Sequence, residues 1–198
     1  MLNKEWALLQ RLSRKLFFTL DDLISIGQKQ PGSIRVLVSR NCKKGVFIRL
    51  KKGVYTLAQN WQGFSQVELF QIANILQVPS YVSLTTALGF YGITTQVQPG
   101  YIESCGVKRT VQFEIQGKQF VYYKLKKGVY FSFLRKDGFF IATPEKALID
   151  ALYLYSFGKY RLDFAALDLS RLDKKELQRI VRVYPVKTRK VIEKLCGI

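Results

Sequence analysis

The sequence predicts an α+β fold in two domains, residues 1–60 and 61–198, from three observations. The first 57 residues read as a helix, a short helix, a third and basic helix, then a lysine-tipped two-stranded hairpin. Residues 100–141 read as successive strands joined by glycine-bearing turns, with a helix before them near Leu84–Gly92. Helical spacing then returns and holds to the C-terminus. The first succession is that of a winged helix-turn-helix, in which one helix enters the major groove and a hairpin rests on the backbone. The second describes a mixed domain of antiparallel strands and helices.

The elements follow in order. The first helix is expected over Asn3 to Lys15, with Leu2, Trp6, Leu9 and Leu16 on one face. Thr19 is an N-cap for a second helix. Asp21 and Asp22 fall in its first turn, where the helix dipole favours negative charge, and Gly27 ends it. Gln28-Lys29-Gln30-Pro31-Gly32 forms the turn. The third helix runs from Ser33, as N-cap, to Lys44, with Gly45 as its stop.

Placed 100° apart, Ile34, Leu37, Val38 and Asn41 share one side of this helix, with Cys42 at the edge. Val36, Ser39, Arg40 and Lys43 share the other, with Arg35 and Lys44 at the borders. The helix is therefore half core and half cationic. The hairpin is Val46–Leu50, a Lys51-Lys52-Gly53 turn with Gly53 left-handed, and Val54–Leu57. Gln59–Gly63 reads as a linker.

In the second domain, Ser65 caps a helix over 65–77 with Glu68 three residues on. Strands are expected near 100–106, 110–116, 119–126, 129–135 and 138–141. Thr143 caps a further helix that has Pro144 in first position and continues to Tyr155. Leu148, Ala151, Leu152 and Tyr155 make its buried stripe, with Lys146 and Asp150 opposite. Two helices near Lys174–Val183 and Val186–Leu195 close the chain. The string Leu50–Tyr55 recurs as Leu125–Tyr130, which suggests a second cationic hairpin tip.

The charge points to a polyanionic partner. Thirty-two Lys and Arg against 14 Asp and Glu give a net +18. Residues 1–60 hold 12 basic and 3 acidic side chains, more than twice the positive density of the remainder. Arg35, Val36, Ser39, Arg40 and Lys43 are candidates for base contacts. Lys44, Arg49, Lys51 and Lys52 are candidates for phosphate contacts.

Other chemistries find little support. The chain has no His, and its three cysteines (Cys42, Cys105 and Cys196) are widely spaced, so no metal site or cofactor is expected. Three reduced thiols suit a cytoplasmic protein. Without His, clustered carboxylates or a phosphate-binding Gly-Lys-Ser/Thr loop, the reading is not an enzyme and takes no small-molecule substrate. Residues 69–102 carry no charge, but polar residues and prolines interrupt them well short of the ~20 apolar residues of a membrane span. A different class, an RNA-binding or ribosome-associated protein, would use Tyr101, Tyr122, Tyr123 or Phe131 for base stacking.

Three segments also carry a family resemblance. Pro79-Ser80-Tyr81-Val82-Ser83-Leu84-Thr85-Thr86-Ala87-Leu88-Gly89-Phe90-Tyr91-Gly92-Ile93 resembles a signature of the AbiEi-type antitoxins of bacterial type IV toxin–antitoxin systems. Ala142-Thr143-Pro144-Glu145-Lys146-Ala147-Leu148-Ile149-Asp150 resembles a second, and Lys52-Gly53-Val54-Tyr55-Thr56-Leu57 is similar to the family's wing. They stand in the family's order over roughly residues 5–155. Members commonly carry a His near the position of Tyr91.

The resemblance implies a cytoplasmic transcriptional autorepressor that binds inverted repeats in double-stranded operator DNA. It also implies an antitoxin, active in abortive infection and phage defence, that counteracts a nucleotidyltransferase-like toxin without a stable complex. Ser83, Tyr91, Glu145, Lys146 and Asp150 are the antitoxin-domain candidates it marks.

Overall fold

The computed structural model describes residues 2–27 and 30–197, and the side chains of residues 2–6 and 27 lie outside that description. The fold is mixed α+β, in two compact units, Met1–Glu68 and Leu69–Ile198. The expected linker instead contains a helical turn, Ala58–Trp61, whose Trp61 is buried edge-on to Phe64.

In the first unit, α1 spans Leu2–Ser13, α2 Leu20–Gly27 and α3 Pro31–Lys43. Strands β1 (Phe18–Thr19), β2 (Phe47–Lys51) and β3 (Val54–Leu57) form an antiparallel sheet in the order β1-β3-β2. Thr19 caps α2 reciprocally: its Oγ1 accepts from the Asp22 N–H at 3.2 Å, and Asp22 Oδ2 accepts from the Thr19 N–H at 2.8 Å. Lys15 lies 2.5 Å from the other Asp22 oxygen and holds that carboxyl below its usual range.

Helix α3 starts two residues before the expected cap. Pro31 takes the first position, where its missing N–H costs nothing, and Gln30 precedes it without a side-chain cap. The core joins Leu12, Phe18, Leu23, Ile34, Val38, Phe47, Tyr55 and Leu57. Phe18 meets the Phe47 ring edge-on at 4.9 Å. Leu12 thus occupies the place expected for its neighbours on α1; Leu9 is half-buried, and the Leu2 and Trp6 side chains, like Gln28 and Lys29, fall outside the described residues.

The second unit carries a six-stranded sheet. Its strands are β4 (Ser80–Val82), β5 (Tyr101–Gly106), β6 (Val111–Ile115), β7 (Lys118–Lys124), β8 (Phe133–Lys136) and β9 (Phe139–Ala142), ordered β6-β7-β5-β4-β9-β8. The β6–β7 and β8–β9 hairpins turn through Gln116-Gly117 and Asp137-Gly138, whose φ angles of 47°, 78°, 46° and 83° suit tight primed turns. The purely antiparallel expectation is corrected, because β5 runs parallel to β7 and β4 parallel to β9.

The second hairpin is corrected too, although its two lysines, Lys126 and Lys127, are exposed. Strand β7 already has β5 and β6 as neighbours, so the chain beyond it cannot fold back as a hairpin. It makes a 3₁₀ turn at Lys127–Val129 instead, with Val129 buried. Helices α5 (Gln66–Leu76), α6 (Leu84–Phe90), α7 (Pro144–Ser156), α8 (Lys174–Val181) and α9 (Val186–Cys196) complete the chain, after the one-turn α4 at 58–61. Among the described residues, no helix is long and apolar enough to cross a membrane.

Candidate nucleic-acid interface and a buried polar cluster

The two sides of α3 separate as its period dictates. Ile34, Val38 and Asn41 are buried, Leu37 and Cys42 are half-buried, and the Asn41 amide donates to the Leu37 carbonyl at 2.9 Å. Arg35, Val36, Ser39, Arg40 and Lys43 are exposed, Val36 by 50%. An exposed Val among cations gains nothing from burial within its own unit.

Lys44 closes α3 with its N–H on the Arg40 carbonyl at 3.0 Å, and Gly45 follows at φ 71°. The Val46 N–H then returns to the Asn41 carbonyl at 2.9 Å, which fixes the hairpin's start against the end of the helix. Strand β2 extends to Lys51, opposite Val54, and Leu50 bulges inward between paired Arg49 and Lys51. The loop is therefore two residues, Lys52-Gly53, with Gly53 at φ 78°, one fewer than expected. Lys52 and Arg49 are exposed and Lys51 is half-buried.

Among the described residues, Arg35, Arg40, Lys43, Lys44, Arg49 and Lys52 enter no ion pair, and positions 31–64 contain no Asp or Glu. This stretch of surface concentrates positive potential with no internal counter-charge. Cys42, half-buried at its edge, has its thiol pushed up by burial and drawn down in smaller measure by Arg49.

The antitoxin-domain candidates divide into two groups. Ser83, Lys146 and Asp150 converge inside the second unit, together with Tyr81 and Tyr184. Lys146 and Asp150, both fully buried, form an ion pair one turn apart on α7. The Asp150 Oδ2 accepts from Tyr81 at 2.8 Å and Ser83 at 3.0 Å, and its Oδ1 accepts from Tyr184 at 3.1 Å. Lys146 also donates to the Tyr81 hydroxyl at 2.9 Å and lies 5.5 Å from that ring's centre. Burial, then Asp150, pushes the Tyr81 hydroxyl up, and Tyr184 behaves alike.

Tyr91 and Glu145 stand apart from this cluster. Tyr91 donates to the Ala142 carbonyl at 2.9 Å, and Glu145 accepts from the Asp173 N–H at 3.1 Å, before α8. The expectation that Lys146 and Asp150 face away from the core is corrected, as is a buried Tyr155. Helix α7 packs against α6, α8 and α9, so nearly every position is buried, and Tyr155 is among the few exposed.

Sequence reasoning passed over a cleft in the second unit. Leu84, in the left-handed region at φ 58°, turns the chain from β4 into α6. The residue before it, Ser83, reaches Asp150, whereas the residues after it, Thr85 and Thr86, reach β5 and Tyr160. There Glu103, 3% exposed, accepts from the Tyr160 hydroxyl at 3.0 Å. Burial raises the Glu103 carboxyl to about 7 against the smaller opposing pull of Tyr160 and the Thr86 and Thr85 amides. The cleft above it measures about 810 Å³. The sequence had marked two of its lining residues, Tyr101 and Tyr123, as base-stacking candidates, but not Glu103, the first charge after the uncharged run 69–102.

These features define a two-unit α+β protein with an exposed cationic helix face in one unit, in no ion pair among the described residues, and a polar cluster buried in the other. Its fold is similar to the crystal structure of the RV2827C protein from Mycobacterium tuberculosis, with a TM-score of 0.58 over 93% of this chain and 72% of that one. At 12% identity the likeness is one of fold alone. No protein-family model and no curated protein matches the sequence.

Proposed function

We propose that the chain is a sequence-specific DNA-binding autorepressor of the AbiEi antitoxin type, with a winged helix-turn-helix in its first unit. The observation that carries this reading is the exposed, unpaired cationic side of α3 beside the lysine-tipped β2–β3 hairpin. In it, α3 lies in the major groove. Arg35 and Arg40 read guanine edges, Val36 meets a thymine methyl, and Ser39 and Lys43 complete the contact. Lys44, Arg49, Lys51 and Lys52 hold phosphates. Two copies bind inverted repeats in operator DNA.

The second unit serves as the antitoxin part, acting against a nucleotidyltransferase-like toxin in the cytoplasm without a stable complex. Ser83, Lys146 and Asp150 hold that unit's shape, and its exposed surface does the work. Two assays test the reading. The chain retards a duplex from upstream of its own gene, and Arg40→Ala abolishes the preference for that duplex. Co-expression restores growth to cells making the neighbouring toxin, while the two proteins do not co-purify. A chain that neither prefers its upstream DNA nor restores growth contradicts the proposal.

A further inference from the structure

The Glu103 cleft has no part in the DNA-binding reading and stands independently of it. Its floor is a buried carboxylate that accepts from the Tyr160 hydroxyl and is drawn on more weakly by the Thr86 and Thr85 amides, which leaves part of its roughly four-site acceptor capacity open. Tyr101 and Tyr123, half-buried rings, form part of its wall, and Tyr123 meets Tyr160 edge-on at 5.6 Å. Tyr122, grouped with these two by sequence, is core instead: its hydroxyl donates to the Ala73 carbonyl at 2.6 Å. Lys159 and Arg161 line the mouth, both exposed and, among the described residues, in no ion pair. A ligand matching this layout has a planar head with N–H donors for the floor and the rings, and an anionic tail for the mouth.

We propose that this cleft binds a guanine mononucleotide, with the base edge donating to Glu103, the ring against Tyr101 and Tyr123, and the phosphate at Lys159 and Arg161. Guanine presents two adjacent N–H donors on its Watson–Crick edge. Adenine and cytosine present a ring nitrogen lone pair there, which a carboxylate repels, and uracil has one donor between two carbonyls. A volume of about 810 Å³ accommodates a mononucleotide.

Calorimetric titration of the full chain at about pH 8, where Glu103 is ionised, tests it. Guanosine monophosphate binds with a Kd below ~1 mM, and adenosine monophosphate binds at least ~10-fold more weakly. Glu103→Gln removes that preference. Arg161→Glu and Lys159→Glu, both at exposed positions, weaken guanosine monophosphate and leave guanosine unchanged. Circular dichroism establishes that each variant is folded, and if Glu103→Gln is not, the two mouth variants decide. No binding of guanosine monophosphate, equal binding of the adenine nucleotide, or mouth variants that bind as wild type overturn the proposal. Operator binding by the first unit is read separately, so failure here leaves the repressor reading standing, and the reverse holds.

Discussion

Helices α3 and α7 have the same length, thirteen residues, and each has a proline in first position, yet they put their cations to opposite uses. Helix α3 buries one stripe and leaves Arg35, Arg40 and Lys43 exposed and, among the described residues, in no ion pair. Helix α7 is buried except at Pro144 and Tyr155, and its Lys146 has Asp150 and Tyr81 within reach. The difference lies in the neighbours. Helix α3 is backed by a small three-stranded unit, whereas α7 packs against three other helices. A cation with no counter-charge at a surface is available to a partner, and one satisfied in the interior is committed to the fold.

This contrast breaks most readily at Asp150. Replacing it by Ala leaves Lys146 buried without its counter-ion and takes the acceptor from Tyr81, Ser83 and Tyr184. The expected loss is about 3–5 kcal/mol of stability in the second unit, read by denaturant unfolding. Lys146→Met in the same chain removes the stranded charge and restores part of it. A loss under ~1 kcal/mol for Asp150→Ala would mean that this cluster is no more valuable than a surface pair.

Glu103 gives the next largest effect, and its sign follows from linkage. Its carboxyl is raised from 4.5 to about 7, so between those values the folded chain holds a proton that the unfolded chain has released. That stability is fully present below pH 4.5 and is lost as pH rises through about 7. The amount is roughly 3 kcal/mol over the window, and Glu103→Gln flattens the profile. Thermal unfolding at a series of pH values checks it, and a profile that the substitution leaves unchanged would place the dependence elsewhere.

The surface cations give smaller effects, seen in binding rather than in folding. Arg40→Ala costs about 1–3 kcal/mol of operator affinity if its guanidinium pairs with a base. It leaves the stability read by denaturant unfolding unchanged, to within ~0.5 kcal/mol. Lys52→Ala is the mildest. It weakens all duplexes alike and lowers the salt slope by about one unit, which filter binding at several ionic strengths measures. A base-dependent effect at Lys52 would move the proposed specificity from α3 to the β2–β3 hairpin.

What was legible in the sequence follows the same division. The two sides of α3 could be read because one period places Ile34 and Val38 opposite Arg40 and Lys43, and no other segment needs to be known. The Thr19, Ser65 and Thr143 caps could be read because each bond spans three residues. The Asp150 cluster was only partly legible. Lys146 and Asp150 could be paired by spacing, but Tyr81 and Tyr184 come from β4 and from beyond α8, and their convergence depends on the tertiary fold.

The repeated Leu-Lys-Lys-Gly-Val-Tyr string teaches the same lesson. Its first copy spans the end of β2 and the start of β3, which pair with each other across Lys52-Gly53. Its second follows β7, a strand already flanked on both sides, and becomes a 3₁₀ turn. The parallel β5–β7 and β4–β9 pairs were missed because hairpin turns announce only neighbours in sequence.

The affinity of the full chain for the duplex upstream of its gene, against an unrelated duplex of the same length and with Arg40→Ala alongside, tests the central claim most directly. The account predicts that wild type prefers the upstream duplex by ~10³-fold or more at physiological salt, and that Arg40→Ala loses most of this preference while keeping its non-specific binding. Equal affinity for the two duplexes, or an Arg40→Ala chain that discriminates as wild type does, would contradict it.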